Sequence, residues 1–136
     1  MSDFHQSNRI INEKYRREFF DHVTKQVHPE NFSSFKTTDP QRFYLDFKNC
    51  VTPLINTEIH RFEKSLTHTS DSHLLLLKIS TLVDAIIHTA LDASIWLHNR
   101  TQQKKLHLKS IPIAIIARGG YGREEIYLQS NIDVQI

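Results

Sequence analysis

Glycine is nearly absent from this sequence of 136 residues, and its three copies lie within four consecutive positions. No glycine occurs before Gly119, and none follows Gly122. Glycine adopts positive φ angles at little cost and lets another group approach the backbone closely. The chain therefore concentrates this conformational freedom in one short segment, which becomes the first candidate for a functional turn.

Cysteine is scarcer still, since Cys50 is the only one. A single cysteine excludes an internal disulfide and a cysteine-based zinc site, and it favours a reducing compartment. The N-terminal residues contain no apolar signal core, and an apolar run such as Leu74–Leu77 is far too short to span a membrane. We therefore expect a cytoplasmic protein with no membrane partner.

An excess of one charge is also lacking, because 17 Lys and Arg residues accompany 15 Asp and Glu residues, for a formal net charge of +2. A dedicated nucleic-acid binder usually has a densely basic face, so no nucleic-acid partner is expected. The most basic stretch, residues 100–109, is interpreted as a solvated connector. None of the nine histidines has the His-Glu-x-x-His spacing of a helical zinc site, so we interpret them as scattered side chains.

Apolar residues at helical spacing occupy much of the first hundred positions and predict three or four helices. The first is expected over about residues 7–27, with Ser7 as its N-cap, followed by a linker rich in polar residues and proline up to residue 40. The second is expected to begin at Pro40 after the N-cap Asp39. Because proline lacks an N–H and clashes with the preceding turn, a kink or a fresh start is predicted at Pro53.

The third predicted helix runs from about residue 72 to residue 98, with Asp71 or Ser72 as its N-cap. It is apolar on more than one face, and it is therefore the predicted core helix.

The pattern changes after residue 109. Residues Ile111–Ala117 form a short β-branched apolar run that predicts a buried strand. A short helix is then predicted over Arg123–Leu128 and a second strand over Ile132–Ile136. The predicted fold class is therefore α+β, with a helical region over residues 1–109 and the beginning of a sheet domain over residues 110–136.

The glycines stand where the first predicted strand meets the predicted short helix, followed directly by Arg123. Backbone N–H groups at such a junction form an anion site, and an arginine adds positive charge, so phosphate is the expected ligand. The spacing fits neither a Walker loop nor the dinucleotide-binding G-x-G-x-x-G motif. From the glycines alone, a purely structural turn is an equal alternative.

Ten residues separate Gly120 from Asn131, and Asp133 follows two positions later. Residues two apart on a strand share one face. Two acidic groups placed in this way could hold Mg²⁺ beside the phosphates of a nucleotide, and here the first of the two positions is an asparagine. The acidic end of the segment therefore favours the phosphate interpretation over the structural turn.

The whole segment resembles the nucleotidyltransferase motif of the DNA polymerase beta-like superfamily, in which an apolar strand, Gly-Gly or Gly-Ser and about ten residues precede Asp-x-Asp on a strand. Within that superfamily it is most similar to the protein-PII uridylyltransferase family, whose motif runs Gly-Gly-Tyr-Gly-Arg, an acidic residue, then Ser-Asp-Ile-Asp. The matching positions are Gly119, Gly120, Tyr121, Gly122, Arg123, Glu125, Ser130, Ile132 and Asp133.

The resemblance implies a role for each matching polar position. Gly119, Gly120 and Arg123 would cradle the phosphates of UTP, and Ser130 would support the metal loop. Asp133 would be the catalytic Mg²⁺ ligand. The implied reaction is transfer of UMP from UTP to a hydroxyl group of a PII-type nitrogen-signalling protein.

Asn131 departs from the family pattern, because it occupies the position of the first metal-binding aspartate. The loss of a unit charge about 4 Å from a metal is worth up to ~4 kcal/mol at an effective dielectric of ~20. That energy corresponds to roughly a thousandfold in rate. The resemblance also implies further strands and a third carboxylate. We therefore expect an incomplete sheet, in an N-terminal fragment or degenerate remnant of a transferase, without activity as this chain.

Two further expectations concern partners. The edge of an incomplete apolar sheet would be exposed and would favour self-association. The alternative to a transferase remnant is a helical protein-interaction module, and the long apolar helix expected over residues 72–98 is the feature that favours it.

Overall fold

The structure, a computed structural model, describes residues 2–26, 37–66, 72–127 and 131–136. Three long helices come first: α1 (Ser2–Gln26), α2 (Pro40–Leu66) and α3 (Ser72–Thr101). They are followed by a 3₁₀ turn (Leu108–Ser110), strand β1 (Ile116–Ala117), the short helix α4 (Gly119–Gly122) and strand β2 (Val134–Gln135). The two strands pair antiparallel. The predicted α+β class is thereby confirmed at the level of helices plus a small sheet.

The start of α2 agrees with its prediction, whereas the start of α1 does not. The Asp39 carboxylate accepts a hydrogen bond from the Gln41 N–H at 3.1 Å, and the Asp39 carbonyl accepts from the Phe43 N–H at 2.9 Å. Asp39 is therefore the N-cap of α2. Helix α1 already begins at Ser2, so Ser7 lies inside it and the predicted cap at Ser7 is wrong.

Helix α2 continues through Pro53 as one element, so the fresh start predicted there is wrong. Val51 and Phe62, on either side of the proline, are both buried in the core. Their shared burial holds the helix together across a position that lacks an N–H donor. The Thr57 hydroxyl also donates to the Pro53 carbonyl, at 2.8 Å.

Helix α3 is the core helix, as predicted, and it packs against both α1 and α2. Its buried residues are Leu77, Ile79, Ser80, Thr81, Leu82, Val83, Ala85, Thr89 and Ala93. The hydroxyls of Thr81 and Thr89 donate to carbonyls one turn earlier, which satisfies these buried polar groups. The Trp96 ring stacks on Phe43 of α2, with 5.7 Å between the ring centroids.

By length and composition, α3 is also the one helix of the described part that could cross a membrane. In the apolar stretch that meets this criterion, 44% of the residues are buried inside the protein. Its packing against α1 and α2 accounts for the part of its apolar surface that is buried.

The sheet is smaller and more exposed than predicted. Its ladder contains two residue pairs, with Ile116 opposite Gln135 and Ala117 opposite Val134. Ile116 is 52% exposed, so the buried strand predicted over residues 111–117 is wrong in both length and burial. An apolar β-branched run is buried when other elements cover the sheet, and both residues of β1 are exposed here.

Two residues that follow the helices nevertheless belong to their core. Tyr121 and Ile126 are buried in the same cluster as Val23 of α1, Phe43 of α2 and Leu82 of α3. The glycine segment is thereby packed directly against the helical region.

Candidate functional site

The glycine cluster itself forms the short helix α4, and the helix predicted over Arg123–Leu128 is not formed in the described residues 123–127. The Gly120 carbonyl accepts the N–H of Glu125 at 2.8 Å, and the Tyr121 carbonyl accepts the N–H of Glu124 at 3.1 Å. These two bonds are the Schellman arrangement that ends a helix. The chain therefore turns away just where the predicted helix would have begun.

Glu124 occupies the left-handed position of this turn, with a φ of 60°. Glycine is the usual residue there, because a side chain in this conformation meets the neighbouring backbone. The Glu124 carboxylate is bonded to the Arg16 guanidinium of α1. A long-range ion pair therefore accompanies an unfavourable backbone conformation.

Gly119 is favoured by its backbone conformation, and Gly122 is required by space. Gly119 has a φ of +56°, and a Cβ built there would lie 3.0 Å from Asp133 Oδ2. A Cβ at Gly122 would lie 2.7 Å from the carbonyl oxygen of Ala117, which no side chain tolerates without a backbone shift. The turn is thus pressed against both β1 and the segment that leads into β2.

The structure brings Asp133 and the glycine turn together. The Asp133 carbonyl accepts the N–H of Arg118 at 2.9 Å, and its carboxylate lies against Gly119. Asp133 precedes strand β2, so the bond to Arg118 extends the pairing of the two strands by one step. Asp133 and Gly119, which are 14 positions apart in the sequence, therefore lie next to each other, as the spacing of the predicted site residues requires.

Backbone donors are available at the start of α4. No acceptor in the described part of the chain takes the N–H of Gly119, Gly120 or Tyr121. Asp133, Arg118 and Gly119 line a shallow depression of about 480 Å³ together with Ile132 and Val134. An anion in this depression would lie beside Gly119 and the Asp133 carboxylate.

The other predicted site residues are less closely associated with the turn. The Arg123 side chain is exposed, and its Nε donates to Glu125 Oε2 at 2.7 Å. Asn131 is exposed two positions before Asp133. Ser130 lies outside the described residues. The structure therefore places Asp133 beside Gly119, the residue before Gly120 in α4, and it shows Arg123 paired with Glu125.

Tyr121 connects the turn to α3, an association that the sequence interpretation did not include. The Tyr121 hydroxyl donates to Asp84 Oδ1 at 2.5 Å. Burial of the ring, together with the hydrogen bond to Asp84 and the charge of that carboxylate, raises the pKa of Tyr121 above its usual value of 10.0. No spacing rule relates positions 37 residues apart, so the signal available in the sequence was a tyrosine set among glycines.

The residues around the turn suit a magnesium ion only in part. The described residues hold no group of three or more His, Cys, Asp or Glu side chains arranged to bind a metal. Asp133 offers one carboxylate beside Gly119, and Asn131 offers an amide oxygen nearby in sequence. Mg²⁺ prefers such oxygen ligands, and in proteins it often takes one or two carboxylates plus phosphate oxygens and waters. The donor set fits Mg²⁺ when a nucleotide supplies the remaining ligands.

The arrangement is thus a short glycine turn with the Asp133 carboxylate beside its first residue. No family model, no curated protein and no solved structure matches the chain.

Proposed function

We propose that the chain carries a nucleotide-phosphate site of the nucleotidyltransferase type, related to that of the PII uridylyltransferases, with little or no transfer activity. The observation that carries the proposal is the contact between the Asp133 carboxylate and Gly119. In the family that the segment resembles, the glycine turn and the metal-binding aspartate serve one triphosphate. Here the same two features lie side by side.

The charge of Asp133 determines whether the site favours a nucleotide with Mg²⁺ or the nucleotide alone. A carboxylate beside an anion cradle repels free phosphate by roughly 1 kcal/mol or more at the distances of direct contact. A cation between the two groups reverses the sign of this interaction. The site therefore favours a magnesium nucleotide over the nucleotide alone.

Each residue has a distinct part in this proposal. The N–H groups of Gly119, Gly120 and Tyr121 would donate to phosphate oxygens, which are strong acceptors for such groups. Asp133, assisted by the amide oxygen of Asn131, would hold Mg²⁺, which when bound neutralises charge on the phosphates. Ser130 and Arg123 are assigned supporting roles by the resemblance alone.

Binding of UTP to the full chain tests the proposal, measured by calorimetry with Mg²⁺ and with a chelator. We expect Mg-UTP to bind more tightly than UTP alone. Asp133→Asn should weaken Mg-UTP binding about tenfold, and it should strengthen binding of metal-free UTP because it removes the repulsion. Asp21→Asn, a change of an exposed carboxylate on α1, serves as the matched control. Equal Mg-UTP affinity in the wild type and Asp133→Asn would contradict the proposal.

The uracil preference and the protein acceptor come from the resemblance, and competition with CTP, ATP and GTP tests the first of them. For the second, transfer of labelled UMP to a PII-type protein should not exceed background with this chain. Asn131→Asp restores the missing carboxylate of the motif and should tighten Mg²⁺-dependent UTP binding. Transfer well above background by the wild-type chain would show that the loss of activity has been inferred wrongly.

A second candidate function is a protein-interaction module, and the exposed apolar side chains around the sheet favour it. The exposed residues are Ile113, Ile116, Ile132, Val134 and Ile136, with fractions from 43% to 85%. Edge strands with such side chains are templates for pairing with another chain. Size-exclusion chromatography with light scattering should then show self-association that Ile116→Thr reduces. A monomer without nucleotide affinity would argue against both candidates.

A further inference from the structure

The glycine turn is held to the helical region by side chains on two different helices. Tyr121, at the centre of α4, is bonded through its hydroxyl to Asp84 of α3. Glu124, at the left-handed position that ends α4, is bonded to Arg16 of α1. Each of these connections joins the turn to a long helix that shares the common core.

The Tyr121 side chain is buried at its ring and hydrogen-bonded at its hydroxyl. It is 6% exposed and belongs to the core cluster, while its hydroxyl reaches the half-buried Asp84 at 2.5 Å. A hydroxyl bonded to a carboxylate is among the stronger classes of hydrogen bond. A residue of the long helix α3 thus holds the hydroxyl of Tyr121 in one position relative to that helix.

The turn has a particular need for such an anchor. Three of its four residues are glycines, which have access to more backbone conformations than any other residue. A cradle of N–H donors binds an anion well only if the donors already point in the right direction. The one residue of α4 that has a side chain is therefore the one that can hold the other three in place.

We propose that Asp84 and Tyr121 are positioning residues of the nucleotide-phosphate site, with Asp84 acting through the tyrosine hydroxyl. This inference rests on the proposed function, since it concerns the orientation of the same N–H donors. The helical region is then part of the site, because α3 determines the conformation in which the glycines are presented.

Two measurements on the full chain test the inference. The first is amide hydrogen exchange at residues 122–125 compared with the middle of α2. Tyr121→Phe keeps the buried ring and removes the hydroxyl, so exchange at residues 122–125 should rise about tenfold while α2 is unchanged. Tyr44→Phe, at a 64% exposed position of α2, is the matched control and should change neither region.

The second measurement is the affinity for Mg-UTP. Tyr121→Phe should weaken binding about tenfold, whereas Asp84→Asn, which keeps an oxygen acceptor for the hydroxyl, should retain most of the affinity. If Tyr121 had only a structural role, Tyr121→Phe would raise amide hydrogen exchange throughout the core and would slow no particular step of Mg-UTP binding. Unchanged exchange at residues 122–125 in Tyr121→Phe would overturn the inference.

The two proposals fail in different ways. If the wild type binds Mg-UTP and Tyr121→Phe binds it equally well, the positioning role is wrong and the site itself stands. If the wild type does not bind Mg-UTP, the proposed function fails, whatever the exchange rates show about the turn.

Discussion

Glu124 departs from the usual chemistry of helix ends, because a charged residue occupies a position where glycine is favoured. Its φ of 60° costs a residue with a side chain about 1–2 kcal/mol. Its ion pair with Arg16 is about 40% exposed, since the two side chains are 39% and 43% accessible. A surface pair contributes about 0–1 kcal/mol, so the pair does not fully offset the backbone cost.

We therefore expect opposite effects from two substitutions at this position. Glu124→Gly removes the ion pair and relieves the backbone, so the free energy of unfolding should stay the same or rise. Glu124→Ala removes the ion pair and keeps the strain, so it should be about 1 kcal/mol less stable than Glu124→Gly. Urea unfolding of both variants checks the difference, and a more stable alanine variant would contradict the assigned conformation.

Tyr121 should also make stability depend on alkaline pH. Its pKa is raised in the folded state by burial and by Asp84, so the folded protein keeps the phenolic proton when the unfolded chain has released it. The stability from this group is complete below the unfolded pKa of about 10 and is lost as the pH rises through the folded pKa. Thermal unfolding between pH 9 and pH 11 should show this loss, and Tyr121→Phe should reduce the slope.

Helix α2 shows how much of an element can be predicted from its sequence. The capping residue Asp39 and the apolar face of α2 followed from the positions of a few residues. The continuity through Pro53 did not, because it depends on core contacts on both sides of the proline. Likewise, the burial of α3 was evident from its composition, whereas the exposure of β1 depends on which elements cover it.

The candidate site likewise has some features that short sequence patterns predict and others that depend on tertiary contacts. The glycine turn and Asp133 were predicted from spacing, because their chemistry is encoded in short motifs. The helix predicted from Arg123 onward failed because Glu124 adopts a left-handed conformation that ends α4 immediately. The connections to Asp84 and Arg16 join positions 37 and 108 residues apart, and a single sequence does not reveal such pairs.

Replacement of Pro53 should make α2 more stable. Its side chain is exposed, and a proline in a helix interior costs up to about 3 kcal/mol relative to alanine. Pro53→Ala restores an N–H donor within the helix and should raise the free energy of unfolding by about 1–3 kcal/mol. Asn56→Ala, an exposed change on the same helix, should raise it by less than about 1 kcal/mol. Equal effects of the two variants would show that the proline imposes no cost here.

The whole molecule is organised around one core to which every long helix contributes. We therefore expect a single cooperative unfolding transition, in which the fluorescence of Trp96 and the helical circular dichroism change together. Phe43→Ala removes the ring that stacks on Trp96 and should lower the free energy of unfolding by about 3–5 kcal/mol. Leu45→Ala, at a 55% exposed position nearby, should change it by less than about 0.5 kcal/mol. Separate transitions for the two probes would contradict a shared core.

The antiparallel pairing of Ile116 with Gln135 also bears on the order of folding during synthesis. The three long helices end at residue 101, so most residues of the core are synthesised before the residues of the sheet. During translation, the N-terminal part of a protein generally folds first. Tyr121 and Ile126 are synthesised after the helices whose core they join, and we expect the glycine turn to take its shape after those helices have emerged from the ribosome.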